Sequence, residues 1–337
     1  MKRFSRREWG GLVLLTGFVL LNALAFRHAR AMMRYTSGGE RTESPEALSP
    51  AARLRVLLSG VNLPRPADDM PPRALDPDTE VLWIPGTGGV TLCAWHAGRG
   101  PAAPLVILFH GYSTEKTRLL REAREIHGMG ASVLLVDFRG SGGSSESYST
   151  LGWLEAEDVA TAAAFARENL PHSHLVLYGQ SMGSAAILRA IHAHNVRPDA
   201  VILESVFSTL LDAIRSRFRA MGVPSFPSAE LMTFWGGARF GFNGFAHRPV
   251  RYARALSCPA LFLHGTDDPR APVAQARRVF DATRAPRKSF VTFDAVGHGS
   301  YAAAHPQSWR AVMTAFLLSS SPALDASVFH GVEKSFP

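Results

Sequence analysis

The chain has 337 residues, 46% of them hydrophobic, which is enough for one large α/β domain with extensions, or for two small domains, and for a substantial core. Its formal net charge of +8 comes largely from scattered arginines without a lysine-rich tract, which argues against nucleic-acid binding and leaves an anionic membrane surface as the better partner for that charge. Cys93 and Cys258 are the only cysteines, too few for a disulfide scaffold, and no spacing of Cys with His suggests a zinc site.

Lys2, Arg3, Arg6 and Arg7 precede Trp9–Phe26, eighteen residues without a charge. A run of that length can span a bilayer with little tilt. Ala23, Leu24 and Ala25 fit the cleavage pattern of a secretory signal whose apolar region is Leu12–Leu21. The length of the run, and Arg27, Arg30 and Arg34 directly after it, favour an uncleaved anchor instead. Residues 1–35 are therefore predicted to be a membrane anchor or signal. The four basic residues on the short N-terminal side favour that end inside and the body exported, or secreted if the signal is cleaved. Residues 36–79, rich in Pro, Ser, Arg and Asp with one amphipathic piece at Pro50–Leu58, read as a linker.

The texture changes at Glu80. Alternating apolar runs at Glu80–Pro85 and Val90–Gly98 flank Gly86–Gly89 as a hairpin. Leu105–Phe109 read as an apolar strand ending in His110, Gly111, Tyr112 and Ser113, and a helix at Lys116–Met129, a strand at Ser132–Asp137 and a turn at Arg139–Gly143 follow. Helix Glu155–Asn169, strand Leu175–Tyr178, helix Ser184–Ile191 and strand Ala200–Leu203 continue the pattern. It resumes with strand Ala260–Leu263, the turn His264–Pro269, helix Val273–Thr283, strand Ser289–Asp294, then Gly297, His298 and Gly299, and a closing helix Ser308–Leu318. Strands that are apolar throughout and alternate with helices indicate an α/β domain over residues 80–318, its mostly parallel sheet covered on both faces. In such sheets chemistry collects at the carboxyl ends of the strands. Residues 319–337 read as a loosely ordered tail.

Between Ser208 and Ser257 the alternation breaks down. Arginines, among them Arg215, Arg217 and Arg219, mix with aromatics such as Phe218, Phe226, Phe234, Trp235 and Phe242. Those aromatics need a surface to bury against, and the sheet pattern leaves none nearby in sequence, so residues 208–257 are predicted to be an inserted cap over the site. The competing readings are a solvated arginine-rich helix pair and a surface that touches lipid headgroups.

The pattern centres on Gly179-Gln180-Ser181-Met182-Gly183, which joins a strand to a helix within five residues. Such a turn lifts the Ser181 side chain clear of the backbone, and glycines two before and two after remove Cβ atoms that would collide. Met182 begins the helix, where unpaired N–H groups and the positive dipole end favour an anion. Acyl transfer through Ser181 needs a base and a carboxylate to orient it, and His298 and Asp268 stand after separate strands.

With Ser, Asp and His in that order, residues from about Glu80 to Leu318 resemble the α/β-hydrolase superfamily, including its His-Gly turn at residues 110 and 111. Within it the pattern looks like membrane-associated serine hydrolases related to monoacylglycerol lipases, acyl-protein depalmitoylases and the S33 aminopeptidase-like branch. The resemblance implies an eight-stranded sheet with an inserted helical cap, Ser181 as nucleophile, His298 as base and Asp268 as its partner. It also implies oxyanion donors in the backbone N–H groups of Met182 and Tyr112. Asp267 competes with Asp268, but in family turns of this type the acid stands three residues after the glycine. His110 and Ser205 read as shaping their turns, and His264 and His305 as a strand-end and a helix-start residue. Family strand order puts Cys93 and Cys258 near opposite sheet edges, which disfavours a disulfide between them. The implied activity is cleavage of a carboxylic ester or thioester on a small-molecule or lipid-like substrate, with no metal or organic cofactor. An aminopeptidase-like amide hydrolase and a noncatalytic binding protein are the alternatives.

Overall fold

The computed structural model describes residues 6–320. In chain order its elements are α1 (Arg6–Met33), α2 (Pro50–Ser59), β1 (Glu80–Pro85), β2 (Thr91–Ala97), β3 (Leu105–Phe109), α3 (Leu120–Gly128), β4 (Ser132–Val136) and α4 (Glu155–Asn169). There follow β5 (Leu175–Gln180), α5 (Met182–Ala193), β6 (Ala200–Glu204), α6 (Leu210–Ala220), α7 (Ser228–Arg239), α8 (Pro249–Tyr252), β7 (Ala260–Gly265), α9 (Val273–Ala282), β8 (Lys288–Phe293), α10 (Tyr301–Ala304) and α11 (Pro306–Ser320). One eight-stranded sheet runs β1-β2-β4-β3-β5-β6-β7-β8. The hairpin strand β2 is antiparallel to β1 and β4, and the remaining pairs are parallel, with Leu105 of β3 between Ser132 and Leu175. The parallel sheet and its helices on both faces agree with the sequence pattern.

The strands are apolar throughout because both faces are covered. Leu105, Ile107 and Phe109 point to the side carrying α4, α5 and α9, while Val106 and Leu108 point to the side carrying α3 and α11. Small residues of α4 and α5, among them Ala163, Ala186 and Ala190, let those helices sit close to the sheet. Cys93, in β2, and Cys258, just before β7, are both free thiols, with β4, β3, β5 and β6 between them.

A third apolar core lies outside this sandwich. It joins Ala25, Ala29 and Met33 of α1 to Val56 of α2, Ile214 and Phe218 of α6, and Met232 of α7. Upstream of it α1 is bare: Val13, Leu14, Phe18 and Leu20 are each more than 60% exposed, in a helix long and apolar enough to cross a membrane. Trp235 of α7 packs edge-on against Phe26 at 5.5 Å and donates to Asn22 Oδ1 at 3.2 Å. The surface on which Trp235 packs is therefore α1, more than two hundred residues away in sequence.

Residues 36–79 differ from a free linker. Arg65 donates to the carbonyls of Gly142 at 3.0 Å, Glu146 at 3.1 Å and Ser144, and Asp68 accepts from the buried Lys116 ammonium at 2.5 Å. The same ammonium reaches Asp137 at 2.6 Å. Outside α2, whose Val56 joins the third core with Leu48, this segment is held by polar side chains that find partners far along the chain, and such contacts leave no hydrophobic period to read. Most of the expected tail lies outside the described residues, while α11 continues to Ser320.

Candidate active site

Ser181 sits between β5 and α5 with φ 53° and ψ −107°, a strained conformation for a residue with a side chain. Its backbone N–H donates to the carbonyl of Glu204 at 2.7 Å. A Cβ on Gly183 would lie 2.2 Å from the Phe109 carbonyl oxygen, and one on Gly179 would lie 2.5 Å from the Ser184 nitrogen. Both positions therefore require glycine. Ser184 Oγ, 2.5 Å from the Gly179 carbonyl and 3.0 Å from that of Glu204, ties the turn to β6.

Two other strand ends deliver the partners. His298 Nε2 lies 3.0 Å from Ser181 Oγ, and His298 Nδ1 lies 2.6 Å from Asp268 Oδ2. The other oxygen of Asp268 accepts from the backbone N–H groups of Arg270 and Ala271, both at 2.9 Å. Burial opposes ionisation of Asp268, but the hydrogen bond and charge of His298 outweigh it, and the carboxyl is held below its ordinary value. Asp267 is exposed and bonds to Thr266 instead. With Nδ1 facing the carboxylate, Nε2 can take a proton from Ser181.

Met182 is the first residue of α5, so its N–H has no acceptor within the helix. Among the described residues, neither that N–H nor the one of Tyr112 has a hydrogen-bond acceptor. The turn carrying Tyr112 passes beside the nucleophile: a Cβ on Gly111 would come within 3.8 Å of Ser181 Cβ. The Tyr112 hydroxyl donates to the Met32 carbonyl at the end of α1. His110 is buried between the Gly111 carbonyl, 2.8 Å from Nδ1, and the Phe138 N–H, which donates to Nε2 at 3.1 Å. His264 donates to the Ala271 carbonyl at 2.6 Å, His305 lies 2.9 Å from the Asp294 carbonyl, and Ser205 pairs with the Tyr301 hydroxyl at 2.6 Å. None of these four joins the Ser181 chain of hydrogen bonds.

Ser181 and His298 open into a cleft of about 770 Å³. Its apolar wall comes from Leu21, Leu24 and Ala25 of α1, Val56 and Leu57 of α2, and Phe218 and Met221 at the end of α6. Of the aromatics in residues 208–257 only Phe218 lines it. Trp235, Phe240 and Phe242 instead pack on Phe26, Tyr148 and Trp153. A small recess beside Ser181 is lined by Tyr112, Met182, Leu151, Phe207 and Arg217.

The chain matches the family model described as serine aminopeptidase, S33, over residues 100–220, and the one described as TAP-like protein over residues 245–327. It is 24% identical over 211 residues to the uncharacterized protein YqkD of Bacillus subtilis, covering 62% of this chain and 69% of that one. To a lysophosphatidylserine lipase of Danio rerio it is 23% identical over 188 residues, 53% of this chain and 47% of the lipase. The structure of an esterase from Pyrococcus furiosus superposes with a TM-score of 0.65 at 19% identity, over 77% of this chain and 97% of the esterase. The chain belongs to the α/β-hydrolase superfamily.

In this hydrolase the residues that sequence reasoning left out belong to the support and walls of the site. Glu204 accepts from Gln180 Nε2 at 2.7 Å and from the Tyr178 hydroxyl, directly under the elbow. Burial, with the nearby Glu122 carboxyl adding to it, raises its pKa to about 8. Glu122 accepts from Ser300, two residues beyond His298, so buried carboxyls hold both the elbow and the histidine loop. A charged residue closing an otherwise apolar strand was the available signal for Glu204. Among the described residues, Asp68, Glu115 and Asp137 are near enough to share a metal ion. The Lys116 ammonium already bridges Asp68 and Asp137, however, so the cluster carries its own cation.

Proposed function

We propose that this hydrolase is membrane-anchored and cleaves carboxylic esters, or thioesters, of lipid-like acyl groups through an acyl-enzyme on Ser181. The observation that carries the reading is the Asp268–His298–Ser181 chain of hydrogen bonds, at 2.6 and 3.0 Å, opening on an apolar cleft. His298 takes the Ser181 proton as Oγ attacks the carbonyl carbon, and Asp268 stabilises the imidazolium. The N–H groups of Met182 and Tyr112 receive the oxyanion, each worth about 3 kcal/mol of barrier. His298 then returns the proton to the leaving alcohol or thiol, and water, deprotonated by the same imidazole, releases the acid.

The same wall supports the membrane part. A bilayer core of about 30 Å takes about 20 helical residues, yet the exposed apolar stretch of α1, Leu12 to Leu20, is shorter than that, and Leu21 already lines the cleft. A spanning α1 therefore brings Leu21 and Leu24, and with them the cleft, to the membrane interface. Cleavage after Ala25 would remove residues that pack against α6 and α7, which favours the uncleaved anchor, and the four basic residues before it favour the body on the exported side. The lipase among the relatives fits a lipid ester.

A fluorophosphonate probe should label Ser181, and Ser181→Ala should abolish labelling and lower ester hydrolysis by about 10⁴-fold or more at unchanged melting temperature. Long-chain p-nitrophenyl esters should be preferred to acetate. Absence of labelling in folded protein sinks the enzyme reading, and preference for acetate sinks the lipid-like one. The S33 match favours a second reading, an aminopeptidase-like amide hydrolase. Turnover of aminoacyl p-nitroanilides without ester turnover would select it.

A further inference from the structure

Arg217 stands out among the cleft arginines because it is half-buried yet, among the described residues, pairs with no carboxylate; Arg41 and Arg118 are exposed, Arg65 is held by three carbonyls and Arg270 by Glu46. It lines both the large cleft and the recess beside Ser181, together with Tyr112 and His298. Among the described residues its guanidinium makes one hydrogen bond, a long contact from Nη1 to the Ala213 carbonyl of its own helix at 3.5 Å, and it lies 5.4 Å from the centre of the Tyr112 ring. Burial is the main influence on it and pulls its pKa below the ordinary range.

The carboxylates nearest to it are engaged. Asp268 holds His298, and Glu46 pairs with Arg270 at 2.5 Å. Asp69 and Glu115, which also line the cleft, share the Thr117 hydroxyl at 2.8 and 2.9 Å, with Glu115 also accepting from the Thr117 N–H, and Glu43, at the same cleft, is exposed to solvent. One other arginine of the same segment has an acidic partner: Arg215, on the same helix, pairs with Glu230 at 2.5 Å, while Arg219, Arg239, Arg248, Arg251 and Arg254 are exposed. A shielded guanidinium without a counter-ion is costly, and an anion delivered by a ligand offsets that cost. Its planar donors suit a carboxylate or a phosphate.

Resting on the proposed esterase reading, we propose that Arg217 is a specificity residue that binds an anionic group, carboxylate or phosphate, carried by the ester substrate close to the scissile bond. The apolar wall takes the acyl chain, and the guanidinium selects anionic esters over neutral ones of equal length.

The test uses two matched pairs with the full-length protein in neutral detergent micelles. The phosphate pair is 1-oleoylglycerol 3-phosphate against 1-oleoylglycerol, and the carboxylate pair is p-nitrophenyl hemisuccinate against p-nitrophenyl butyrate. Wild type should prefer the anionic member of at least one pair by about tenfold or more in kcat/KM, the pair identifying the group and the side of the ester that carries it. Arg217→Gln should remove that preference and leave neutral-ester turnover within about threefold, and Arg217→Lys should restore part of it. No preference in wild type, or an equal fall on both members in Arg217→Gln, overturns the proposal. Binding of 1-oleoylglycerol 3-phosphate to Ser181→Ala protein supplies a readout without turnover for the phosphate arm, and hemisuccinate binding does so for the carboxylate arm. Arg217→Gln should weaken one of them by about tenfold or more, and unchanged affinity for both overturns the proposal. Failure of Ser181 to react with the fluorophosphonate would count against the esterase reading alone.

Discussion

The strand-end region and the layer above it are held by different forces. Around Ser181, Asp268 and His298, position is set by backbone: a strained φ at Ser181, glycines packed against carbonyl oxygens, and a carboxylate gripped by two N–H groups. Above it, α1, residues 36–79 and the helices α6 and α7 are joined by side chains from distant parts of the chain, through an apolar core and a few ion pairs. The first arrangement suits chemistry that tolerates little displacement, and the second suits a wall whose residues can change without disturbing the reaction centre.

The comparison can be broken most sharply at Gly183. Gly183→Ala puts a methyl group 2.2 Å from a carbonyl oxygen that has nowhere to go, and should cost about 3 kcal/mol of stability along with activity, read by thermal melting and ester turnover. A fully stable variant would mean the elbow is not as rigid as its geometry implies.

In the covering layer, deleting residues 1–20 should release the protein from membranes while keeping short-ester turnover within about threefold. Deleting residues 1–33 should also strip Ala25, Ala29 and Met33 from the core they share with Ile214 and Met232, costing about 2 kcal/mol or more in urea melts. Equal behaviour of the two truncations would show that α1 does not serve as a wall.

Glu204 tests the floor between the regions. Its pKa is raised in the fold to about 8 from an ordinary 4.5, so the folded state binds its proton more tightly than the unfolded chain does. The stability this contributes is complete below about pH 4.5 and is lost as pH rises toward 8. Glu204→Gln, permanently neutral, should flatten the decline of the urea midpoint across that window. The smallest effect belongs to Glu46→Ala, which breaks the half-exposed pair with Arg270 and should cost less than about 1 kcal/mol by urea titration.

These differences explain what could be read in advance. The glycines flanking Ser181, the Asp268 turn and the loop around His298 are short, local patterns, legible because each is set within a few residues of its strand end. The fit of α1 to the cap was not legible, because an eighteen-residue apolar run reads the same whether lipid or protein covers it. Arg217 was lost among the other arginines of residues 208–257, since a guanidinium with a carboxylate partner and one without are written with the same letter.

The alternation of apolar strands and helices, by itself, determined a two-faced parallel sheet and the order in which three polar side chains leave its strands, because burial on both faces permits no other pattern. Tertiary structure alone decided what roofs the cleft and which of its charges go unanswered. Those properties depend on contacts between segments more than two hundred residues apart, and no local propensity encodes such a contact.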